Sequence, residues 1–439
     1  MSAPGPKESD LSEQKEAISQ EKQDSREKAI AKLLLRPAKG SALDAILLPV
    51  LAVITALIIG ALVIVFTDIE VLALWKNIFS APGKALAASW KAVASAYSAM
   101  FKGSIGDPKE FVNAFKVLSD TGDTAALLQA FWPITESLVT SVPYIFAGLA
   151  VALGFRCGLF NIGVEGQLFV GALGSVFVGY SLKGLPMIIH LPLAFLAGAF
   201  AAGVWGAVAG YLKAKTGAHE VINTIMMNYI AFRLSDWLLN GPMKRPGYVP
   251  VSPSIQDSAW LPRFFPLPIR LHAGILVALA VAFLVYWLLF KTTIGFEIRS
   301  VGANPDAARY AGINITRNFV LAMFLSGALA GMAGANEVLG INHNLASAFS
   351  SGYGFDSIAL ALLGKSHPAG VVLAALLFGT LRSGATRMQS LAGIPIDIIS
   401  ILQALIVIFI AAPAIIRGLY HIRLKREGAE TVLTRGWGQ

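Results

Sequence analysis

Glycines and polar side chains interrupt an otherwise apolar sequence at residues 154–167, which read GFRCGLFNIGVEGQ. The flanking apolar runs, residues 134–153 and 168–182, are each close to the ~20 residues that cross a bilayer. Polar, non-helical backbone at that depth is tolerated only where it lines a cavity or packs inside protein. Transporters build substrate sites from interrupted helices of this kind. The translocation-path residues predicted from this stretch are Asn161, Gly163, Glu165, Gly166 and Gln167.

Two further acids lie within apolar sequence. Glu337 ends a predicted span over residues 319–339, where an ionised side chain is costly unless it is paired or hydrated. A functional role is therefore predicted for it, with structural pairing to a basic side chain as the alternative. Residues 350–364 place Asp356 before an apolar run too short to cross, which indicates a re-entrant or broken segment. The path residues predicted here are Asn336, Glu337, Tyr353 and Asp356.

The composition is that of a polytopic membrane protein. Of 439 residues, 55% are hydrophobic and only 14% are charged, whereas soluble domains have about 25% charged residues. The net charge of +9 is typical of basic cytoplasmic loops in such a protein. There is no zinc-ligand spacing and no basic-aromatic face for stacking bases, so a nucleic-acid partner is not expected. The single Cys157 excludes an intrachain disulfide.

The predicted fold is all-α, with about nine to ten transmembrane helices and broken or re-entrant segments. Both termini are predicted to be cytoplasmic because Lys and Arg flank the outermost spans. The number of crossings between residues 341 and 396 is left open. The sequence GVE (163–165) is similar to GFD (354–356), which is consistent with two related halves of the chain. The predicted regions are a disordered cytoplasmic polar tail (1–40), a first transmembrane helix (45–66), an extracytoplasmic amphipathic excursion (67–132), a permease core (133–417) and a cytoplasmic C-terminal tail (418–439). A docking helix for a partner is the alternative for the first of these.

Two basic segments are predicted to face the cytoplasm. In the first, a turn at Gly217 and a short exposed helix would form a docking knob for a partner, with a plain capped loop as the alternative. In the second, Asn304 opens a short helix over residues 307–311 that Gly312 closes. The first segment's exposed candidates are His219, Glu220, Asn223 and Thr224.

Small residues recur every four positions along two predicted spans, which favours close helix packing. They are Gly198, Ala202, Gly206 and Gly210 in one span, and Gly327, Gly331 and Ala335 in the other.

No enzyme site is recognisable. Residues 364–366 (GKS) resemble the end of a phosphate-binding loop, but Ala359 stands where that motif needs glycine. There is no Gly-x-Ser-x-Gly sequence, and the six histidines do not pair at metal-ligand spacing. The chain is therefore predicted to bind no metal and to hydrolyse no nucleotide itself.

Four motifs in order resemble the permease subunits of ABC importers, in the branched-chain amino acid and simple-sugar permease family. They are residues 154–167, 215–228 (KTGAHEVINTIMMN), 294–312 (IGFEIRSVGANPDAARYAG) and 353–364. Within this family, the four motifs most resemble those of nucleoside permeases of the basic-membrane-lipoprotein type. The resemblance covers about residues 130–417.

The resemblance implies a membrane subunit that works with a cytoplasmic ABC ATPase, an extracytoplasmic substrate-binding protein and a second permease. A heterodimer of permeases is expected, with a homodimer as the alternative. It implies the bacterial cytoplasmic (inner) membrane, with lipids as neighbours, and ATP bound by the ATPase rather than by this chain. It also implies that residues 217–228 couple to the ATPase, and that residues 291–312, with Gly302, Asn304 and Gly312, make a second contact.

The expected mechanism is alternating access, because polar, glycine-interrupted backbone is flanked by close-packing helices. The resemblance implies nucleosides as the substrate, with simple sugars as the alternative. From the residues alone, an ion-coupled secondary transporter or channel that uses Glu165, Glu337 and Asp356 ranks equally. A membrane scaffold without transport is disfavoured by the polar residues at membrane depth.

Overall fold

The computed structural model describes residues 42–76, 79–347, 349–350, 352–395 and 397–420. The predicted tails, residues 1–40 and nearly all of 418–439, lie outside these ranges. The described chain is helical, with two isolated β-bridges, and the predicted all-α class is confirmed.

The helices are, in order, α1 Ala42–Thr67, α2 Ile69–Trp75, α3 Pro82–Ile105, α4 Pro108–Thr121, α5 Ala125–Arg156, α6 Val164–Ser181, α7 Met187–Thr216, α8 Glu220–Asn240, α9 Gly274–Lys291, α10 Thr293–Ala303, α11 Pro305–Tyr310, α12 Ile315–Asn336, α13 Tyr353–Leu363, α14 Pro368–Ala392, α15 Asp397–Ala411 and α16 Pro413–Leu419. A 3₁₀ turn spans Asp257–Ala259, and a π-helix, Glu337–Asn342, continues α12.

Six helices of the described chain are long and apolar enough to cross a membrane, which makes this a multi-pass membrane protein. They are α1, α5, α7, α9, α12 with its π-helical extension, and α14. Helix α6, with 18 residues, lies between α5 and α7 in the sequence. Helix α8, with 21 residues, lies between α7 and α9. The predicted total of nine to ten crossings remains a prediction.

Small residues bring α6, α7 and α12 into direct backbone contact. A methyl group on Gly327 would lie 2.3 Å from the Ala202 carbonyl oxygen, and one on Gly206 would lie 2.4 Å from the Met323 carbonyl oxygen. One turn further along α12, a methyl group on Gly171 of α6 would lie 2.3 Å from the Gly331 Cα. The predicted packing role of both small-residue series is confirmed, and side chains larger than hydrogen would push these helices apart.

Helix α5 is longer than the predicted apolar run. It begins at Ala125 rather than near residue 134, and Pro133, a residue that normally breaks a helix interior, lies inside it. Ser137 donates to the Ser104 carbonyl oxygen of α3 (2.8 Å). Helix α3 also packs on α14, where a methyl group on Gly384 would lie 2.5 Å from the Met100 carbonyl oxygen. Part of the predicted excursion is thus packed against the helices that follow it.

Two other boundaries differ from the sequence prediction. The predicted last span, residues 396–416, is divided into α15 and α16 around Ala412, because Pro413 has no N–H to continue the helix. Helix α10 was not predicted. It begins after Thr292, whose side chain accepts a hydrogen bond from the Gly295 N–H (3.1 Å). The short helix after Asn304 is confirmed, although it begins at Pro305 rather than at residue 307.

Candidate functional site

Buried side-chain amides form a hydrogen-bond cluster centred on Asn161. The Asn161 Nδ2 donates to Gln167 Oε1 (2.9 Å) and to Ser326 Oγ of α12 (2.9 Å). Its Oδ1 accepts from the Gly163 N–H (2.9 Å), which fixes the turn that opens α6. Ser326 donates in turn to the Ala150 carbonyl oxygen of α5 (2.6 Å). This amide cluster therefore joins α5, α6 and α12.

Asn228 of α8 fastens the same segment to a fourth helix. Its Oδ1 accepts from the Gly166 N–H (2.8 Å), and its Nδ2 donates to the Ile162 carbonyl oxygen (2.9 Å). A methyl group on Gly166 would lie 2.7 Å from the Asn228 Cα, so glycine permits this approach. Buried amides with engaged donors and acceptors stabilise a fold. In this conformation Asn161, Gly166 and Gln167 hold the structure together.

Glu165 joins the two interrupted segments that the sequence analysis singled out. Its carboxylate accepts from the Gly354 N–H (2.6 Å) at the start of α13, and also from the Ser350 hydroxyl and the Phe355 N–H. A methyl group on Gly354 would lie 2.4 Å from the Glu165 nitrogen. The similar sequences GVE and GFD therefore contact each other directly.

Tyr144, Tyr353 and Asp356 form an aromatic and acidic cluster between α5 and α13. The Tyr144 hydroxyl donates to Asp356 Oδ2 (2.8 Å), and the rings of Tyr144 and Tyr353 meet edge-on with centroids 4.9 Å apart. Tyr144 is fully buried, whereas Tyr353 and Asp356 are partly exposed. Arg382 of α14 interacts electrostatically with Asp356. A ring edge beside a carboxylate can contact a planar ligand and accept its N–H or O–H groups.

Glu337 begins the π-helix, a rare geometry that is frequent at functional sites. Its side chain is buried, and its Oε1 has no hydrogen-bond partner within the described ranges. The preceding Asn336 is fully buried, and neither polar atom of its side chain has a partner among those residues. Buried polar groups normally have a hydrogen-bond partner. The atoms of these two side chains that have none within the described ranges can therefore bind a polar ligand.

An ion pair between Arg270 and Glu136 of α5 lies close to these residues. Both side chains interact electrostatically with Glu337 and with Tyr353. The set comprising Tyr144, Asn336, Glu337, Tyr353 and Asp356, with the Arg270–Glu136 pair, is termed the central site. It draws on α5, the loop before α9, the end of α12 and α13.

The proline-rich loop 241–273 covers the π-helix. The Leu261 N–H donates to the Leu339 carbonyl oxygen (2.9 Å), and the Ser252 N–H donates to the Leu345 carbonyl oxygen (2.9 Å). The loop is thus fixed by backbone hydrogen bonds to the segment that carries Glu337.

Two histidines lie at this contact. His272 is buried, and burial lowers its pKa to about 4, with Arg263 and His343 adding to the effect. His343 stacks on Trp260 with ring centroids 4.0 Å apart, and burial also lowers its pKa. Both rings are therefore neutral at pH 7. No group of three His, Cys, Asp or Glu side chains in the described part of the chain could hold a metal ion.

The first predicted coupling segment is a tight turn and not a separate short helix. Gly217, with φ 69°, ends α7, and α8 runs without a break from Glu220. The expectation that Thr224 is exposed is wrong: only 1% of its surface is accessible, because it faces the protein and its hydroxyl donates to the Glu220 carbonyl oxygen (2.8 Å). His219 is exposed and Asn223 is partly buried.

The second predicted coupling segment is a projecting pair of helices, α10 and α11. Gly302 packs on the end of α5, where a methyl group would lie 2.2 Å from the Arg156 carbonyl oxygen. Asn304 caps α11 by accepting from the N–H groups of residues 306 and 307 (3.0 Å each). Gly312, with φ 80°, ends the pair. Tyr310, the last residue of α11, is 95% exposed.

The sequence analysis did not identify three residues of the central site, Glu136, Tyr144 and Arg270, or Arg382, which interacts with it. A usable signal existed for Glu136, since it is an acid inside a predicted apolar run. Arg270 lies just before a span, where a basic residue is ordinarily assigned to a membrane surface. Tyr144 carries no signal without a neighbour, because an isolated tyrosine in a span is usual.

Interrupted helices that meet at buried acids, enclosed by tightly packed membrane spans, define an α-helical membrane transport protein. The chain belongs to the family described as "Branched-chain amino acid transport system / permease component", whose model matches residues 134–411. Members of this family are permease subunits of ABC transporters, so this is a transport subunit and not an enzyme, and ATP is used by a partner ATPase.

Several curated relatives support this assignment. The "Guanosine ABC transporter permease protein NupP" of Bacillus subtilis is 38% identical over 392 residues, covering 88% of this chain and 99% of its own length. The "Glucose ABC transporter permease protein TsgB13" of Haloferax volcanii is 39% identical over 63% of this chain and 75% of its own length. The "Nucleoside ABC transporter permease protein NupB" of Lactococcus lactis is 35% identical over 64% and 80%, respectively. No solved structure gives a significant match.

Proposed function

We propose that this chain imports nucleosides through the central site. The observation that carries the proposal is the pairing of Tyr144 and Tyr353 with the partly exposed carboxylate of Asp356. A nucleoside has a planar base with N–H donors and a sugar with hydroxyl groups. An aromatic surface next to a carboxylate matches the base, while Asn336 and Glu337 offer free polar atoms to the sugar.

The relatives support this substrate class. The names of NupP and NupB refer to guanosine and nucleosides, and NupP matches nearly its whole length. TsgB13, a glucose permease by name, keeps a simple sugar as the second candidate. The free polar atoms of Asn336 and Glu337 would suit a sugar equally well, whereas the tyrosine pair favours a base.

Coupling to the ATPase is assigned to the α10–α11 pair. It projects from the helix ends, and Tyr310 and Arg309 expose most of their surface. The turn at Gly217 is assigned to the same side of the membrane, since α8 and α9 run in sequence from it, but of its predicted coupling side chains only His219 is exposed. We assign these ends to the cytoplasm of a bacterial cell, because Lys213, Lys215 and Lys291 occur there.

The expected assembly contains this chain, a second permease, cytoplasmic ATPase subunits and a substrate-binding protein. Relatives occur as differently named permeases of the same organism, NupB and NupC in L. lactis and NupP and NupQ in B. subtilis. A heterodimer of permeases is therefore proposed here as well.

Competition for ATP-dependent uptake tests the substrate class. The complete complex would be reconstituted in proteoliposomes, and uptake of labelled guanosine measured against purine and pyrimidine nucleosides, ribose and glucose. Competition by nucleosides and not by sugars is expected. Competition by glucose instead would transfer the proposal to a sugar, and uptake without any ATPase subunit would favour an ion-coupled transporter.

A further inference from the structure

Two arginine side chains lie next to one aromatic ring at the end of a membrane span. The guanidinium carbon of Arg156 lies 5.4 Å from the Phe290 ring centroid, and that of Arg299 lies 5.2 Å from the same centroid. Arg156 is the last residue of α5, Phe290 lies in the last turn of α9, and Arg299 belongs to α10. Three segments thus bring two positive charges to one place.

No acid balances these charges within the described ranges. Neither guanidinium forms an ion pair with a carboxylate there. Glu297, the acid nearest to Arg299 in sequence, accepts from the Asn318 side chain instead (3.0 Å). Arg156 donates to the Ser366 and Lys365 carbonyl oxygens (2.9 and 3.3 Å), and the Arg299 Nε is buried with no partner among the described residues. The two like charges repel each other unless an anion binds.

The cluster lies at the end of an apolar helix face. Large side chains at helical spacing along α9 are about half exposed or more, and Phe290 follows Phe283 by seven residues, on the same side. An exposed apolar face of this kind on a spanning helix is suited to contact lipid chains. Trp287 and Lys291 near the end of α9 are residue types that anchor helices at the lipid headgroups. The exposed apolar residues are Leu276, Leu279, Phe283, Leu284 and Trp287.

We propose that Arg156 and Arg299 bind the phosphate of an anionic phospholipid whose acyl chains lie along the exposed face of α9. Arginine suits phosphate because its planar guanidinium can donate two parallel hydrogen bonds. Basic pockets between helix ends at the cytoplasmic surface bind lipid headgroups in this way. The site also touches α10, because Arg299 lies on that helix, so lipid binding would brace the helix pair assigned to the ATPase.

Native mass spectrometry of the intact complex, titrated with phosphatidylglycerol or phosphatidylcholine, tests the proposal. The wild type should retain phosphatidylglycerol preferentially. Arg299→Gln should weaken that binding about fivefold or more, from the loss of one basic contact at a lipid headgroup, while Arg299→Lys should retain part of it. Arg317→Gln is the matched control, since Arg317 is an exposed arginine in the first turn of α12.

Equal phosphatidylglycerol binding by wild type and Arg299→Gln would overturn the proposal, as would an equal loss in Arg317→Gln, which indicates general charge attraction. Inorganic phosphate is the second arm: if it displaces the lipid at millimolar concentration, the ligand is free phosphate. If Arg299→Gln does not assemble, a photoactivatable phosphatidylglycerol on the wild type decides. Labelling must then fall within residues 276–299, and labelling elsewhere refutes the site.

Discussion

Gly354→Ala should disrupt the link between the two interrupted segments. The added methyl group would lie 2.4 Å from the Glu165 nitrogen and 2.5 Å from its Cα, and both are backbone atoms of the helix start. Neither can rotate away, so α6 and α13 must separate by roughly an ångström to reach ordinary contact distance.

The cost has two parts. Overpacking of a close contact costs about 1–3 kcal/mol. Separation also weakens the hydrogen bond from the Gly354 N–H to the Glu165 carboxylate (2.6 Å), and a bond to a charged group contributes about 1.5–3 kcal/mol. The expected destabilisation is therefore about 2–5 kcal/mol, a large effect for one methyl group.

Thermal unfolding of the purified protein in detergent measures this, with ATP-dependent uptake as a second readout. Gly83→Ala is the matched control, because nothing lies within 4 Å of the position its methyl group would take. Gly354→Ala should melt several degrees lower and lose uptake, while Gly83→Ala keeps both. If the two variants melt within a degree of each other, the close contact of the two segments is refuted.

Three other predictions address the same structure. Tyr144→Phe removes the donor to Asp356 and should cost about 1.5–3 kcal/mol of unfolding free energy, measured against wild type by thermal melting; an unchanged melting temperature would contradict the bond. Because the pKa of His272 is lowered to about 4 while an unfolded histidine titrates near 6.5, its contribution is complete above pH 6.5 and lost as the pH falls toward 4. That loss is about 3 kcal/mol, and His272→Asn, which keeps an acceptor for the Gly274 N–H, should flatten the dependence; an equal slope in both proteins would contradict it. Tyr310→Ala should reduce stimulated ATPase activity of the complex several-fold, because it removes an aromatic side chain that is 95% exposed, whereas His219→Ala should change it little; the reverse result would move the coupling contact to the Gly217 turn.

The helices and their packing were largely predictable because membrane spans and small-residue intervals are local patterns. The four-residue interval in α7 indicated close packing without naming its partner, and the structure identifies α12 as that partner. The sequence underestimated α5, because Pro133 interrupts the apolar pattern there and yet lies inside the helix.

The candidate site was only half predictable. Polar residues in apolar sequence indicated Asn161 and Glu337 equally, since both are improbable at membrane depth. Their partners decide the roles: Asn161 is fully engaged in hydrogen bonds, whereas Glu337 keeps an unpartnered oxygen within the described ranges. Ser326, which accepts a hydrogen bond from Asn161, lies more than 100 residues away in sequence. A local sequence pattern cannot predict a contact of that kind.

Uptake by an Asp356→Asn variant tests the central claim most directly. Labelled guanosine would be given to proteoliposomes that contain the full complex, with Asp120→Asn, the same change at an exposed position of α4, as the control. The account predicts that Asp356→Asn assembles normally and retains ATPase activity but loses at least tenfold in nucleoside uptake, while the control transports like wild type. Normal guanosine uptake by Asp356→Asn would contradict a substrate path through the central site.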